Sequence, residues 1–282
     1  MTEQEAAPAA VATQDSRNLW QRVAAALVLA PVAIAAAYAG GWWWALLVTL
    51  ATIGLYLEWL TVTCPARTIG ATVAGTVALT LAMPFLAVAR VEGALVVLAF
   101  GIIAVAVRAP APRIWCVGGY LYAAVAQLAS TAVRIDEVAG LSALILVLLV
   151  VWGTDIGGYF AGRSIGGPKL WPRVSPKKTW AGAIGGFVAS LLVAAGFAAL
   201  GYGKPLPLLV LAAALSIAAQ FGDLFESAVK RHFGVKDSSH IIPGHGGLMD
   251  RLDGFVAAIV LAAIFGSLRG GVDGVGRALM IW

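Results

Sequence analysis

Residues Gln220–Gly254 read QFGDLFESAVKRHFGVKDSSHIIPGHGGLMDRLDG. This stretch carries Asp223, Glu226, Lys230, Arg231, Lys236, Asp237, Asp250, Arg251 and Asp253, together with all 3 histidines, His232, His240 and His245. The rest of the chain is mostly hydrocarbon: of 282 residues, 61% are hydrophobic and only 12% charged. Long apolar runs flank the stretch on both sides, about Pro205–Val229 before it and Leu252–Leu268 after it. It therefore reads as the facing ends of two membrane-crossing helices and the loop between them. Such a density of both signs in an apolar chain marks a site, not a solvated face.

Composition extends the same reading outward. A mean hydropathy of +0.90 is too high for a soluble domain, which would have to expose that surface to water. The 10 Trp and 6 Tyr suit interfacial belts, where amphipathic rings sit at headgroup level. A net charge of +5 invites a nucleic-acid reading, but no basic patch with interleaved aromatics is present, and no nucleic-acid partner is expected. Cys64 and Cys116 are far apart and lie in or beside apolar segments. They form neither a disulfide framework nor a CxxC metal site, and read as buried, inert thiols.

The expected fold is all-α, a polytopic membrane protein of about nine transmembrane helices. Residues 1–18 have no apolar period and read as a disordered tail. The first apolar run, Leu19–Ala39, ends in AAAYAGG, where Ala37, Tyr38 and Ala39 fit a signal-peptidase site. Acidic residues in the leader (Glu3, Glu5, Asp15) and a run long enough to span favour a retained helix. Further spans are expected at about Trp42–Val62, Ile69–Ala89, Gly93–Val107, Ile114–Val133, Val138–Ala161 and Trp180–Leu200, before the two already named. The fourth is short enough to be tilted or distorted. Residues 19–282 form one membrane domain, with N-terminal helices over 19–133 and catalytic helices with their loops over 138–282. Nine spans with the N-terminus in the cytoplasm leave Arg90, Arg134, Lys204, Arg269 and Arg277 outside and the other 14 of the 19 Lys and Arg inside, as the positive-inside rule requires. The polar loops Gly162–Thr179 and His232–Met249 then face the cytoplasm.

On a helix, Asp223, Glu226, Ser227 and Lys230 share one stripe, at offsets 0, 3, 4 and 7. Intramembrane carboxylates cost several kcal/mol unless paired, metal-bound or facing water, which makes them functional candidates. The plain alternative is a structural pair of Lys230 with Glu226 or Asp223. Asp250 is expected on the same side of the membrane as Asp223, and the two could share a divalent cation. Such a hard, oxygen-rich site suits Mg²⁺. Asp253 reads as a substrate-site residue or as a helix cap. In GHGG, Gly244–Gly247, the backbone can approach an anion closely; Gly246 and Gly247 are candidate substrate contacts, and Lys236, Arg231 and Arg251 supply positive charge. His245 is a candidate for proton transfer or phosphate binding, or else orders the loop. Asp237 joins this group, whereas a zinc site from the histidines lacks the ligand spacing.

The other polar loop reads GRSIGGPKLWPRVSPKKTW. Its basic residues Arg163, Lys169, Arg173, Lys177 and Lys178 suit anionic lipid headgroups. Ser175, Lys177, Lys178 and Thr179, at the entrance of the seventh span, could hold phosphate. No Walker A or GxGxxG pattern occurs. Asp155, in VWGTDIGGYFAGR, is a further site candidate, and Glu58, in LYLEWL, is ambiguous.

The stretch SAVKRHFGVKDSSHIIPGHGGLMDRLD, Ser227–Asp253, resembles the signature of the phosphatidate cytidylyltransferases, or CDP-diacylglycerol synthases, and matches its spacing throughout. FGDLFES, the Asp155 segment and SPKKT at 175–179 extend the resemblance over the C-terminal half. One position departs: where the family pattern continues SPKKT with a bulky residue, Glu and Gly, this chain has Trp180, Ala181 and Gly182. The resemblance implies transfer of a cytidylyl group from CTP to phosphatidate, in phospholipid biosynthesis at a bacterial inner membrane. It implies Mg²⁺ on Asp223 and Asp250, leaves a second cation such as K⁺ open, and goes with a homodimer as the expected assembly. A CDP-alcohol phosphatidyltransferase would need a DGxxAR pattern, which is absent, and a transporter would carry its charges nearer the bilayer centre.

Overall fold

The computed structural model describes residues 31–64, 68–239 and 246–282. Residues 31–39 are helical (α1) and belong to the expected first span, whose earlier part lies outside the described residues. There follow α2 (Gly41–Thr63), α3 (Ile69–Ala87), α4 (Val91–Arg108), α5 (Arg113–Ile135), α6 (Gly140–Ser164), the strands β1 (Lys169–Trp171) and β2 (Ser175–Thr179), then α7 (Trp180–Ala199), α8 (Pro205–His232), α9 (Met249–Gly270) and the short α10 (Val275–Met280). Among the described residues, 8 helices are long and apolar enough to cross a membrane. Helices are the natural answer for such a sequence, because each satisfies its own backbone hydrogen bonds without water.

The second to ninth expected spans are all present among the described residues, with ends displaced by a few residues. The fourth is a regular 18-residue helix, not a distorted one, because the polar ends at Glu92 and Arg108 continue it by backbone hydrogen bonding. The ninth begins three residues earlier than the apolar run, so Asp250 lies in its first turn. The segment before α7, read as a loop, is an antiparallel hairpin that pairs Lys169 with Thr179 and Trp171 with Ser175.

Short connections make successive helices alternate in direction. Large apolar side chains such as Leu192, Leu206 and Leu268 are exposed along the outer faces, as lipid contact requires. The core beneath is stitched by buried polar groups. Gln127 of α5 donates to Thr49 Oγ1 at 2.7 Å and to the Leu79 carbonyl at 3.0 Å, joining α2, α3 and α5. The hydroxyls of Thr154 (α6) and Ser216 (α8) meet at 2.8 Å. Glycines let α6 and α7 approach backbone to backbone: a Cβ on Gly182 would lie 2.9 Å from the Gly158 carbonyl oxygen. This close crossing brings the hairpin and the start of α7 against the Asp155 end of α6.

At the far end of the bundle, Asp136, beyond α5, is a self-contained clasp. Its Oδ1 accepts from the Val138 and Ala139 amides, at 2.9 Å each. Its Oδ2 accepts from Arg277 Nε at 2.7 Å and from the Arg277 amide at 3.2 Å. Burial alone would push this carboxyl up, but those hydrogen bonds outweigh it and hold the group below the usual carboxylate range.

Candidate active site

Helix α8 has 28 residues, where a bilayer core needs about 20. By length, its last turns reach the hydrocarbon edge, and the polar stripe occupies about the last three turns. The helix is continuous through His232, so Asp223, Glu226, Ser227 and Lys230 do share a face, as their spacing predicts. Lys230 Nζ stands 3.1 Å from Glu226 Oε1 and 2.5 Å from Asp250 Oδ1. One ammonium thus joins α8 to the first turn of α9. Asp223 is ion-paired with Lys178 of β2, and Ser227 Oγ lies 3.4 Å from Asp223 Oδ1.

The other oxygen of Asp250 is occupied as well. Oδ2 accepts from the Ser238 amide and hydroxyl, both at 3.2 Å, and from the Gly247 amide at 3.1 Å. Asp253 sits one turn deeper in α9, where the expected cap role does not hold. The helix begins at Met249 and no side chain caps it from within, while Asp253 Oδ1 accepts from the Gly254 amide of its own turn. Its carboxylate lies within electrostatic reach of Asp223 and Glu226, and Asp155 of α6 lies within reach of Asp253, Asp223 and Lys178. Asp155, Asp223, Glu226, Asp250 and Asp253 therefore form one acidic neighbourhood, threaded by the ammonium groups of Lys178 and Lys230. Glu226 Oε1 is buried and lacks a hydrogen bond of good geometry. Among the described residues, no three His, Cys, Asp or Glu side chains are arranged to hold a metal ion by themselves.

The basic residues divide. Because successive strand residues face opposite ways, Lys178 points at Asp223 while its neighbour Lys177 is exposed. Thr179 Oγ1 caps α7 at its entrance, accepting from the Gly182 amide at 3.1 Å. Arg231 is exposed and donates to the Val235 carbonyl at 3.0 Å, closing the end of α8. Lys236, Asp237 and Arg251 are exposed. His240, His245 and Gly244 lie outside the described residues. Of the expected glycines, Gly246 has φ +85°, a conformation glycine adopts without strain.

The sequence reading left Glu58 undecided, yet its carboxylate is wholly buried. It accepts from Ser239 Oγ at 2.6 Å, Ser238 Oγ at 3.0 Å, the Leu248 amide at 2.8 Å and the Met249 amide at 2.7 Å. A helix from the first half of the chain thus caps α9 from outside and ties down the segment before it. Its signal in the sequence was a lone carboxylate in a 23-residue apolar helix. Tyr122 of α5, within electrostatic reach of Asp253 and Glu226, carried no such signal.

Beside the charged groups lies an apolar cavity of about 560 Å³, lined by Trp59, Trp115, Tyr122, Phe225, Val256 and Val260. Trp59 and Phe225 stack at 6.2 Å over it. A second, of about 380 Å³, lies between the hairpin, α7 and α8, with Trp171, Trp180 and Phe221 in its wall.

The profile of the Cytidylyltransferase family matches residues 20–268 of this chain. A phosphatidate cytidylyltransferase of Brucella suis is 49% identical over 165 residues, which cover 55% of this chain and 58% of that protein. The Bacillus subtilis protein of the same name is 48% identical over 120 residues, 42% of this chain and 44% of its own length. That of Haemophilus influenzae is 42% identical over 136 residues, covering 46% and 47%. The matches span less than two-thirds of these relatives. With nearly the whole apolar body inside the family profile, the chain belongs to the cytidylyltransferase family.

Proposed function

We propose that this protein transfers the cytidylyl group of CTP to phosphatidate, giving CDP-diacylglycerol and pyrophosphate. The observation that carries the reading is the acidic neighbourhood threaded by Lys178 and Lys230 at one end of a membrane bundle, directly beside an apolar cavity. A phosphate-bearing lipid needs both: charge to meet its headgroup and hydrocarbon to keep its chains. A phosphate oxygen of phosphatidate attacks the α-phosphorus of CTP, the new P–O bond forms, the bond to the β-phosphate bridging oxygen breaks, and pyrophosphate leaves. Such a transfer depends on positioning and charge neutralisation more than on covalent participation by the protein.

The donor set fits a hard cation. Mg²⁺ takes one or two carboxylates and completes its shell with water and substrate phosphates. Asp223 and Asp250 offer such oxygens, and each already attracts an ammonium group, Lys178 and Lys230. These two carboxylates would hold Mg²⁺, which when bound supplies a counter-charge and template for the triphosphate; a second cation such as K⁺ has Glu226, Asp253 and Asp155 nearby. Lys178, Lys230 and the exposed Arg231, Lys236 and Arg251 neutralise phosphate charge. The hairpin and the 232–249 segment face the cytoplasm of a bacterial inner membrane in this reading, where CTP is found, and two copies pair as a homodimer.

The test is pyrophosphate release by purified protein in mixed micelles. Release should require CTP, phosphatidate and Mg²⁺ together, and should vanish in Asp223→Asn and Asp250→Asn with the fold intact. Wild-type-like turnover in either variant would remove the metal assignment, and no release from folded wild-type protein would remove the reaction. Asp253→Asn should also impair turnover, because its carboxylate lies within electrostatic reach of Asp223.

A further inference from the structure

Asp250 is held from two sides, by Lys230 of α8 and by Ser238 and Gly247. The Lys230 ammonium fixes Oδ1, whereas Oδ2, which takes bonds from Ser238 and Gly247, follows those two positions. Both positions lean on Glu58. The carboxylate takes the Ser238 and Ser239 hydroxyls on one side of the segment and the Leu248 and Met249 amides on the other. Packing closes the same joint: a Cβ on Gly247 would stand 1.8 Å from Ser238 Oγ and 2.8 Å from Glu58 Oε2, and one on Gly54 would stand 2.7 Å from Leu248 Cδ2. A buried carboxylate that accepts from four donors is held rigidly, since both of its oxygens are tied to fixed partners.

We infer that Glu58 is the positioning residue of the site. From α2, it fixes residues 238–239 and 247–249 so that Asp250 is presented to metal and triphosphate in one orientation. This rests on the cytidylyl-transfer reading. Glu58 touches Asp250 through Ser238 and Gly247, so its influence is that of an outer-shell partner, whose loss typically weakens metal affinity or activity by about 10- to 100-fold.

The experiment compares wild type with Glu58→Gln, which keeps the shape but turns an NH₂ toward two of the donors. Two readouts are taken: hydrogen exchange at the Leu248 and Met249 amides without substrate, and the Mg²⁺ concentration giving half-maximal pyrophosphate release. The expected result is faster exchange at both amides and a Mg²⁺ midpoint raised by about 10- to 100-fold in protein that remains folded. Ser239→Ala, which removes one donor and leaves the carboxylate, should move both readouts the same way by less. A role in stability alone would lower Tm and leave the Mg²⁺ midpoint of the folded fraction where it was, which would overturn the inference. Should Glu58→Gln fail to fold, Ser239→Ala decides: unchanged exchange and midpoint overturn it. Should wild type release no pyrophosphate, the reaction is wrong, and the exchange comparison alone tells whether Glu58 fixes the loop.

Discussion

The two ends of the bundle use the same materials in opposite ways. At the Asp136 end, one buried carboxylate meets one guanidinium and three backbone amides, and every carboxylate oxygen is satisfied. At the Lys230 end, Asp155, Asp223, Glu226, Asp250 and Asp253 crowd around Lys178 and Lys230, and Glu226 Oε1 is left without a well-formed hydrogen bond. Charge balance and complete hydrogen bonding make a fastener. A surplus of negative charge, held in place at a cost, makes a site that a cation and a phosphate can complete. Burial therefore does not distinguish structure from function here; the balance of charge does.

The sharpest way to break this comparison is to remove the cation shared by Glu226 and Asp250. Lys230→Met keeps the volume and leaves two carboxylates uncompensated. Breaking a buried pair costs about 3–5 kcal/mol, and losing a preorganised charge in a reacting site costs about 100- to 1,000-fold in turnover. Pyrophosphate release and thermal unfolding should both collapse. A variant that keeps turnover would make Lys230 a fastener like Arg277.

How much of this was legible in the sequence follows the same division. The eight helices were readable because each needs an uninterrupted apolar run, and lipid leaves no other fold open to it. The α8 stripe was readable because helical spacing alone brings Asp223, Glu226 and Lys230 together. The partnership of Lys178 with Asp223 was not, since it depends on β2 being a strand that turns Lys178 inward and Lys177 outward. Glu58 was hidden for a plainer reason: its donors lie about 180 to 190 residues further along, and no local pattern encodes a contact of that separation. Of the two roles open to Asp253, the cap does not form, because the apolar run begins at Leu252, whereas the helix starts at Met249.

The converse test works on the fastener. Arg277→Ala should leave pyrophosphate release unchanged and lower stability by about 1–2 kcal/mol, less than for a fully buried pair because the guanidinium is half exposed. The loss should depend on pH with a defined sign. The folded-state pKa of Asp136 lies below its ordinary value, near 3.9 in the unfolded chain. Its contribution is thus complete above about pH 4 and disappears as acid protonates the folded carboxylate. Melting curves of wild type and variant should stay apart at neutral pH and converge below about pH 4. A gap that persists in acid would mean that Arg277 acts through packing and not through the carboxylate.

The smallest effect sharpens the boundary of the site. Ala181 stands in the first turn of α7, which has no acidic residue there, at the position where the pattern it resembles carries Glu. A carboxylate in a first helical turn gains about 0.3–1 kcal/mol from the helix dipole, so Ala181→Glu should raise the melting temperature slightly. Turnover should change by no more than about twofold, or about 0.4 kcal/mol in the barrier, because Lys178, the cation that β2 supplies just before this helix, is already committed to Asp223. A gain of about tenfold or more, 1.4 kcal/mol, would show that the acidic neighbourhood extends to the head of α7 and that the wild-type chain works with one of its carboxylates missing.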